Sequence, residues 1–170
     1  MGIFGRSLAD GDRLEVAGAT VRLKVHARAR RISLRLDRTK REIIARAIVA
    51  NAVIRIIKRQ ALAVFTERTA FYCAQLGAKL PSVTMMDARA RWGSCRPGLP
   101  GKPAAIRYSW RLALAPYEVA DYVAAHECAH LLELNHGPKF WAHVSALVGD
   151  ERPHRAWLRA EGSRLHAFGR

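Results

Sequence analysis

Residues 126–137 read His126-Glu-Cys-Ala-His130-Leu-Leu-Glu-Leu-Asn135-His136-Gly137, and the spacing of histidines in this stretch decides the fold. On a helix, positions i and i+4 stand one turn apart on one face, so His126 and His130 can share one small ion. Glu127 points to a neighbouring part of that face, where it reaches a water on the ion rather than the ion itself. Imidazole nitrogens suit zinc, and a catalytic zinc keeps three protein ligands and an open fourth position. The third ligand therefore comes from outside the pair. His136 follows just where Asn135-His136-Gly137 breaks the helix and lets the chain fold back. His143, Glu151 and Glu161 are the alternatives; His136 is favoured because it needs only the local turn. By composition a chance H-E-x-x-H is about a 1% event in a chain with these numbers of His and Glu. The competing account makes His126 and His130 hydrogen-bonded core residues of an amphipathic helix.

Working outward, Pro116 suits the first position of this helix, where its missing N–H is no loss, and the helix is expected to run to about Leu134. Pro138 opens another helix, Lys139 to Val148, and a last one covers Pro153 to His166. Upstream, Val53, Ile57, Val64 and Phe71 recur at helical spacing and predict one long helix from about Ala47 to Leu76. Gly77 is its expected C-cap, with Pro81 beyond as a stop. Val83 to Asp87 and Ala104 to Trp110 read as short strands. Between them the glycines and prolines of Arg91 to Gly101 predict an irregular loop. Ahead of the long helix, alternation in Val21 to Val25 and Ile32 to Leu36 predicts two half-buried strands, with Ile43-Ile44 as a third short one. The whole is α+β: residues 1–46 form a basic arm of strands and 47–170 the core of the same domain.

The 170 residues carry 29 Lys or Arg against 14 acidic residues, a formal charge of +15. Thirteen of the basic residues and two acids, Asp37 and Glu42, lie between Arg22 and Arg59. A surface of that sign attracts polyanions, and residues 22–59 are expected to make weak, non-specific contact with DNA or RNA. No apolar run approaches the roughly 18 residues of a membrane span, and the N-terminus lacks the apolar core of a signal peptide. Three cysteines, with no C-x-x-C pair, make neither a disulfide framework nor a four-cysteine zinc site. The expectation is a cytoplasmic protein with no membrane partner.

Four blocks in fixed order carry a family resemblance: Arg91-Trp-Gly-Ser-Cys95; Trp110-Arg-Leu-Ala-Leu-Ala-Pro116; Asp121-Tyr-Val-Ala-Ala-His-Glu-Cys-Ala-His130; and Asn135-His-Gly-Pro-Lys-Phe-Trp141. Together they resemble the YgjP-like metallopeptidases, relatives of the SprT-like zinc proteases. The match is dense from about Ala61 to Leu165, and the front of the chain departs from the family pattern. The resemblance implies a small zincin-like fold with a long helix, a short sheet and an active-site helix beneath it. It also implies zinc held by His126, His130 and His136, with Glu127 catalytic. The spacing of the third histidine also fits metzincins, but Glu133 stands where their turn glycine belongs. Met85 and Met86 precede the helix, so neither is a downstream Met-turn.

The expected chemistry is hydrolysis of a peptide or protein substrate by a zinc-activated water with Glu127 as general base, with nucleic-acid-associated proteins among the substrates. The alternative is a basic nucleic-acid-binding protein whose zinc is structural or catalytically inactive. Arg91, Tyr108 and Tyr122 are candidates for stabilising an oxyanion. Asp121 is a candidate to orient a ligand histidine. Trp92, Cys95, Trp110, Phe140 and Trp141 read as packing around the site, with Cys95 also weighed as an inhibitory metal ligand. Gly93 reads as a permissive backbone position.

Overall fold

The computed structural model describes residues 13–16, 19–22 and 38–169, with side chains from residue 51 onward. An antiparallel hairpin, β1 (Arg13–Val16) and β2 (Ala19–Arg22), precedes α1 (Arg38–Leu76). Three short strands follow, β3 (Ser82–Met86), β4 (Gly93–Arg96) and β5 (Ala105–Ser109), then a 3-10 turn, Trp110–Leu114. Three helices complete the chain: α2 (Tyr117–Ala129), α3 (Pro138–Val148) and α4 (Arg152–Ala167). The architecture is α+β, as expected for a small zincin-like fold.

The long helix begins earlier than its periodicity predicts and absorbs Ile43-Ile44, which therefore form no strand. Val21 and Arg22 of the first predicted strand lie in β2, where β1 and β2 pair Arg13 with Arg22 and Val16 with Ala19; Leu23 to Val25 lie outside the described residues. Ile32 to Leu36 lies outside the described residues. Along α1 the buried stripe is Val53, Ile57, Ala61, Phe65, Thr69 and Tyr72, the i, i+4 row of an amphipathic helix. The expected Phe71 is off this row and exposed, with the Arg68 guanidinium 4.1 Å over its ring. At its end Gly77 takes φ +63°, and Ala78 N–H donates to Cys73 C=O at 2.9 Å. That is the Schellman closure in which glycine adopts the left-handed conformation cheaply.

β5 is the central strand, parallel to β3 and antiparallel to β4. The predicted loop Arg91–Gly101 thus contains a strand. Gly93–Arg96 stops just before the first proline, and Pro97, Pro100 and Pro103 are confined to the hairpin that leads to β5. An edge strand needs partners on one side only, so four small or flexible residues suffice.

The sheet and three helices close around α2, most of whose residues are buried. Ala120, Ala124, Ala125 and Ala129 keep its surface thin, so neighbouring elements approach closely. Pro116 sits at the N-cap, one residue ahead of the expected position, its carbonyl accepting from Val119 and Ala120 N–H at 3.1 Å. The helix stops at Ala129, not near Leu134. Ala129 C=O accepts from both Leu132 and Glu133 N–H, at 3.1 and 3.0 Å, which tightens and ends the last turn. Asn135-His136-Gly137 therefore belongs to the return loop. Gly137 then caps α3, with Pro138 as its first residue.

Candidate metal centre

His126 lies in the last turn of α2 and His130 is its C-cap. The return loop brings His136 back to them, so the three histidines offer ligand atoms all within 4.8 Å of one another. Nε2 of His136 is 3.1 Å from Nε2 of His126. Two nitrogens bound at 2.0–2.1 Å to one tetrahedral ion stand about 3.3 Å apart, so the donor set fits a metal of that kind. His143, Glu151 and Glu161 are not in the cluster; Glu151 faces Arg155 at 3.5 Å and Glu161 holds Arg164 at 2.8 Å.

Protonation favours ligation. Burial pushes His126 down to about 3, helped by the neighbouring His130 and His136, and burial also lowers His130. Both rings are thus neutral near pH 7, the form that binds metals. His130 Nδ1 lies 3.0 Å from the carbonyl oxygen of Glu133. As a carbonyl only accepts, Nδ1 carries the proton and Nε2 is left as the ligand nitrogen. On His126 the corresponding neighbour is Tyr122, whose hydroxyl is 3.4 Å from Nδ1.

Phe140, fully buried at the start of α3, is the floor of the cluster. Its ring centroid lies 4.8, 4.4 and 4.6 Å from those of His126, His130 and His136. Trp141 flanks His126 and His136 at 5.9 Å, and Arg155 covers its ring at 4.5 Å. Two adjacent aromatics on α3 thus hold the imidazoles, as packing residues do.

Glu127 lies between the two helical histidines in sequence, and the end of its side chain packs against Gly93 of β4. Its side chain is buried, Oε2 has no hydrogen-bond partner among the described residues, and burial raises its pKa to about 8. A carboxyl kept in an apolar place without an ion-pair partner is costly for stability, and such groups concentrate at reactive sites.

Several candidates lie elsewhere. Asp121 does not reach a histidine: Arg68 Nε and Nη2 donate to its two oxygens at 2.5 and 3.2 Å, and Tyr72 hydroxyl donates at 2.8 Å, tying α1 to α2. Tyr108 is a core residue, stacked on Phe65 at 4.3 Å with its hydroxyl 2.9 Å from Thr69 Oγ1. Arg91 lines a cavity with Met86, Ser94 and Arg107 that includes none of the three histidines. Cys95 stands outside the cluster, and burial raises its thiol to about 11, so it is not a reactive thiolate. Of the three oxyanion candidates only Tyr122 borders the site. Sequence reasoning did not supply the Glu133 carbonyl; it gave Phe140 as packing around the site, which it is, without its place against all three imidazoles. The first had no signal, because a backbone acceptor is set by where the helix ends. The second had one, in the Phe140-Trp141 pair directly after the third histidine.

An α+β domain whose central helix ends in a three-histidine cluster beside a buried carboxyl belongs to the architecture of metal-dependent hydrolases. The model of the YgjP-like metallopeptidase domain matches residues 4–161, and the chain belongs to that family. The match reaches back to residue 4, so the basic front of the chain lies within the family pattern rather than departing from it. No curated relative and no solved structure matches the chain. Among the described residues no helix is long and apolar enough to cross a membrane.

Proposed function

We propose that the chain is a zinc-dependent peptidase in which His126, His130 and His136 hold the ion and Glu127 is the general base. The observation that carries this reading is the convergence of three imidazoles, two of them 3.1 Å apart, one helical position from a buried carboxyl. Zinc, when bound, supplies Lewis acidity toward the scissile carbonyl and lowers the pKa of water toward about 7. The chain supplies the rest. Glu127 receives the proton of the attacking water and returns it to the leaving amine. The dry surroundings that raise its pKa strengthen it as a base, while a divalent cation nearby favours its charged form. Phe140 and the Glu133 carbonyl fix ring orientation, so little reorganisation accompanies the reaction.

The test compares zinc-loaded wild type and Glu127→Gln on fluorescein-labelled casein. The variant is expected to keep the metal and lose about 100- to 10,000-fold in turnover. Full activity in E127Q would refute the assignment.

A second reading, contact with nucleic acid, is favoured by the charge of the sheet layer. Arg89, Arg91, Arg96, Lys102 and Arg107 are exposed, and the one acid among residues 77–116, Asp87, is engaged by Arg111 at 2.5 Å. These five exposed cations give the sheet layer a polyanion-attracting surface, in addition to the basic charge that the sequence carries in residues 22–59. Fluorescence anisotropy with single-stranded DNA should show binding that weakens steeply with salt and is reduced in R96A/R107A. Casein cleavage with and without DNA then separates a peptidase that docks on nucleic acid from a binding protein lacking activity.

A further inference from the structure

Resting on the reading of Glu127 as general base, we propose that Gly93 is its positioning residue: the bare Cα of β4 is the surface against which the carboxylate is held. A Cβ built on Gly93 overlaps Glu127 Oε1 and stands 2.5 Å from both Cδ and Cγ. The volume of one absent methyl group is thus occupied by the end of the Glu127 side chain. Backbone conformation is not the reason for a glycine here, since Gly93 is not among the positive-φ glycines. The requirement is space, in contrast to the permissive-backbone role expected from the sequence.

Neither side of this contact is free to give way. Gly93 is in register with the buried Tyr108 of β5, and Ser109 N–H donates to Trp92 C=O at 2.8 Å, which holds the start of β4 to the sheet. Glu127 is only 5% exposed and sits in the last turn of α2, between the two histidines. Trp92 then fixes the height of the strand. Its ring stacks on His166 of α4 at 4.0 Å, and a Cβ on Gly162 would lie 2.9 Å from its Cζ2. Two glycine contacts in series therefore run from α4 through Trp92 and Gly93 to the carboxylate. Interdigitation at this density transmits displacement rather than absorbing it, so a side chain at position 93 moves Glu127 away from the attacking water.

The experiment compares wild type, Gly93→Ala, E127A, G93A/E127A and E127Q. Zinc content, casein kinetics and, in chelator-treated protein, urea unfolding are measured. G93A should bind zinc at wild-type stoichiometry, hold KM within about threefold and lose about 100-fold in kcat, the effect of a misplacement of about 1 Å. Without metal, its urea midpoint should fall below that of wild type, and removal of the Glu127 side chain should abolish the difference. G93A/E127A then unfolds at the midpoint of E127A, the signature of direct coupling. A glycine needed only for packing of β4 would instead lower the midpoint equally in both backgrounds. If G93A does not fold, folding of G93A/E127A supports the proposal and failure of both overturns it. Wild-type kcat and midpoint in G93A also overturn it, while an inactive E127Q leaves the peptidase reading standing. Full activity in E127Q ends the peptidase reading, so the two failures are read from different variants.

Discussion

In the metal-free protein, replacing Glu127 by Gln should change how stability depends on pH. Burial raises the Glu127 pKa from 4.5 to about 8. Between these values the folded state holds a proton that the unfolded chain has released, so wild-type stability must fall as pH rises through the window. The change in pKa corresponds to about 5 kcal/mol at 1.36 kcal/mol per tenfold, a large share of the 5–15 kcal/mol typical of a whole domain. Glutamine has a similar shape and no such proton, so the difference between wild type and E127Q isolates this one group from all others that titrate. Urea unfolding in the presence of chelator, from about pH 4 to pH 9, measures it. Near pH 4 the two proteins should be similarly stable. Near pH 8 the variant should be the more stable by several kcal/mol. With zinc restored the gap should narrow, because a nearby divalent cation favours the carboxylate. A wild-type minus E127Q difference that stays constant with pH would show that the carboxyl is solvated in the folded protein, and the reasoning would fail.

His126 should behave in the opposite sense. Its pKa is held near 3, below the usual 6.5, so metal-free stability should drop as pH falls from about 6.5 toward 3, and H126N should flatten that acid limb. Phe140→Ala removes a fully buried ring under all three imidazoles. It should destabilise by about 3–5 kcal/mol and weaken zinc binding measured by chelator competition. Asp121→Asn should cost about 1–3 kcal/mol through the Arg68 and Tyr72 contacts while leaving zinc affinity unchanged. A loss of zinc affinity there would restore Asp121 as a partner of the histidines. His136 is exposed, so H136A should alter metal-free stability by no more than about 0.5 kcal/mol yet abolish stoichiometric zinc binding by elemental analysis.

The sequence makes the helical half of the fold legible because each helix carries its own punctuation. Gly77 and Pro138 end and begin elements where their backbone preferences demand it, and the 53-57-61-65 row marks the buried face of α1 without reference to anything else. The failures occur where tertiary pairing decides. Ile43-Ile44 has the residues of a strand but continues a helix. Gly93–Arg96 has the composition of a loop but finds a partner in β5, and no local signal announces a partner that lies beyond a hairpin of three prolines. α2 ends a turn early because the Ala129 carbonyl is shared by two N–H groups, a geometric event with no residue code.

The same division runs through the site. His126 and His130 are related by helical periodicity and His136 by a short loop, so all three fall within reach of local reasoning. What surrounds them does not. Asp121 stands five residues from His126, more than one turn, and the angular offset aims it at α1, where Arg68 and Tyr72 receive it. Tyr108, an attractive polar residue in the sequence, has its hydroxyl satisfied by Thr69 across the core, which removes it from chemistry. Gly93 is the converse case: a residue with no functional group whose absence of atoms makes room for the carboxylate. Donor atoms can be recognised by type and spacing. The spaces that aim them exist only once strand, helix and indole are packed together, and so the arrangement around Glu127 had to be read from the fold.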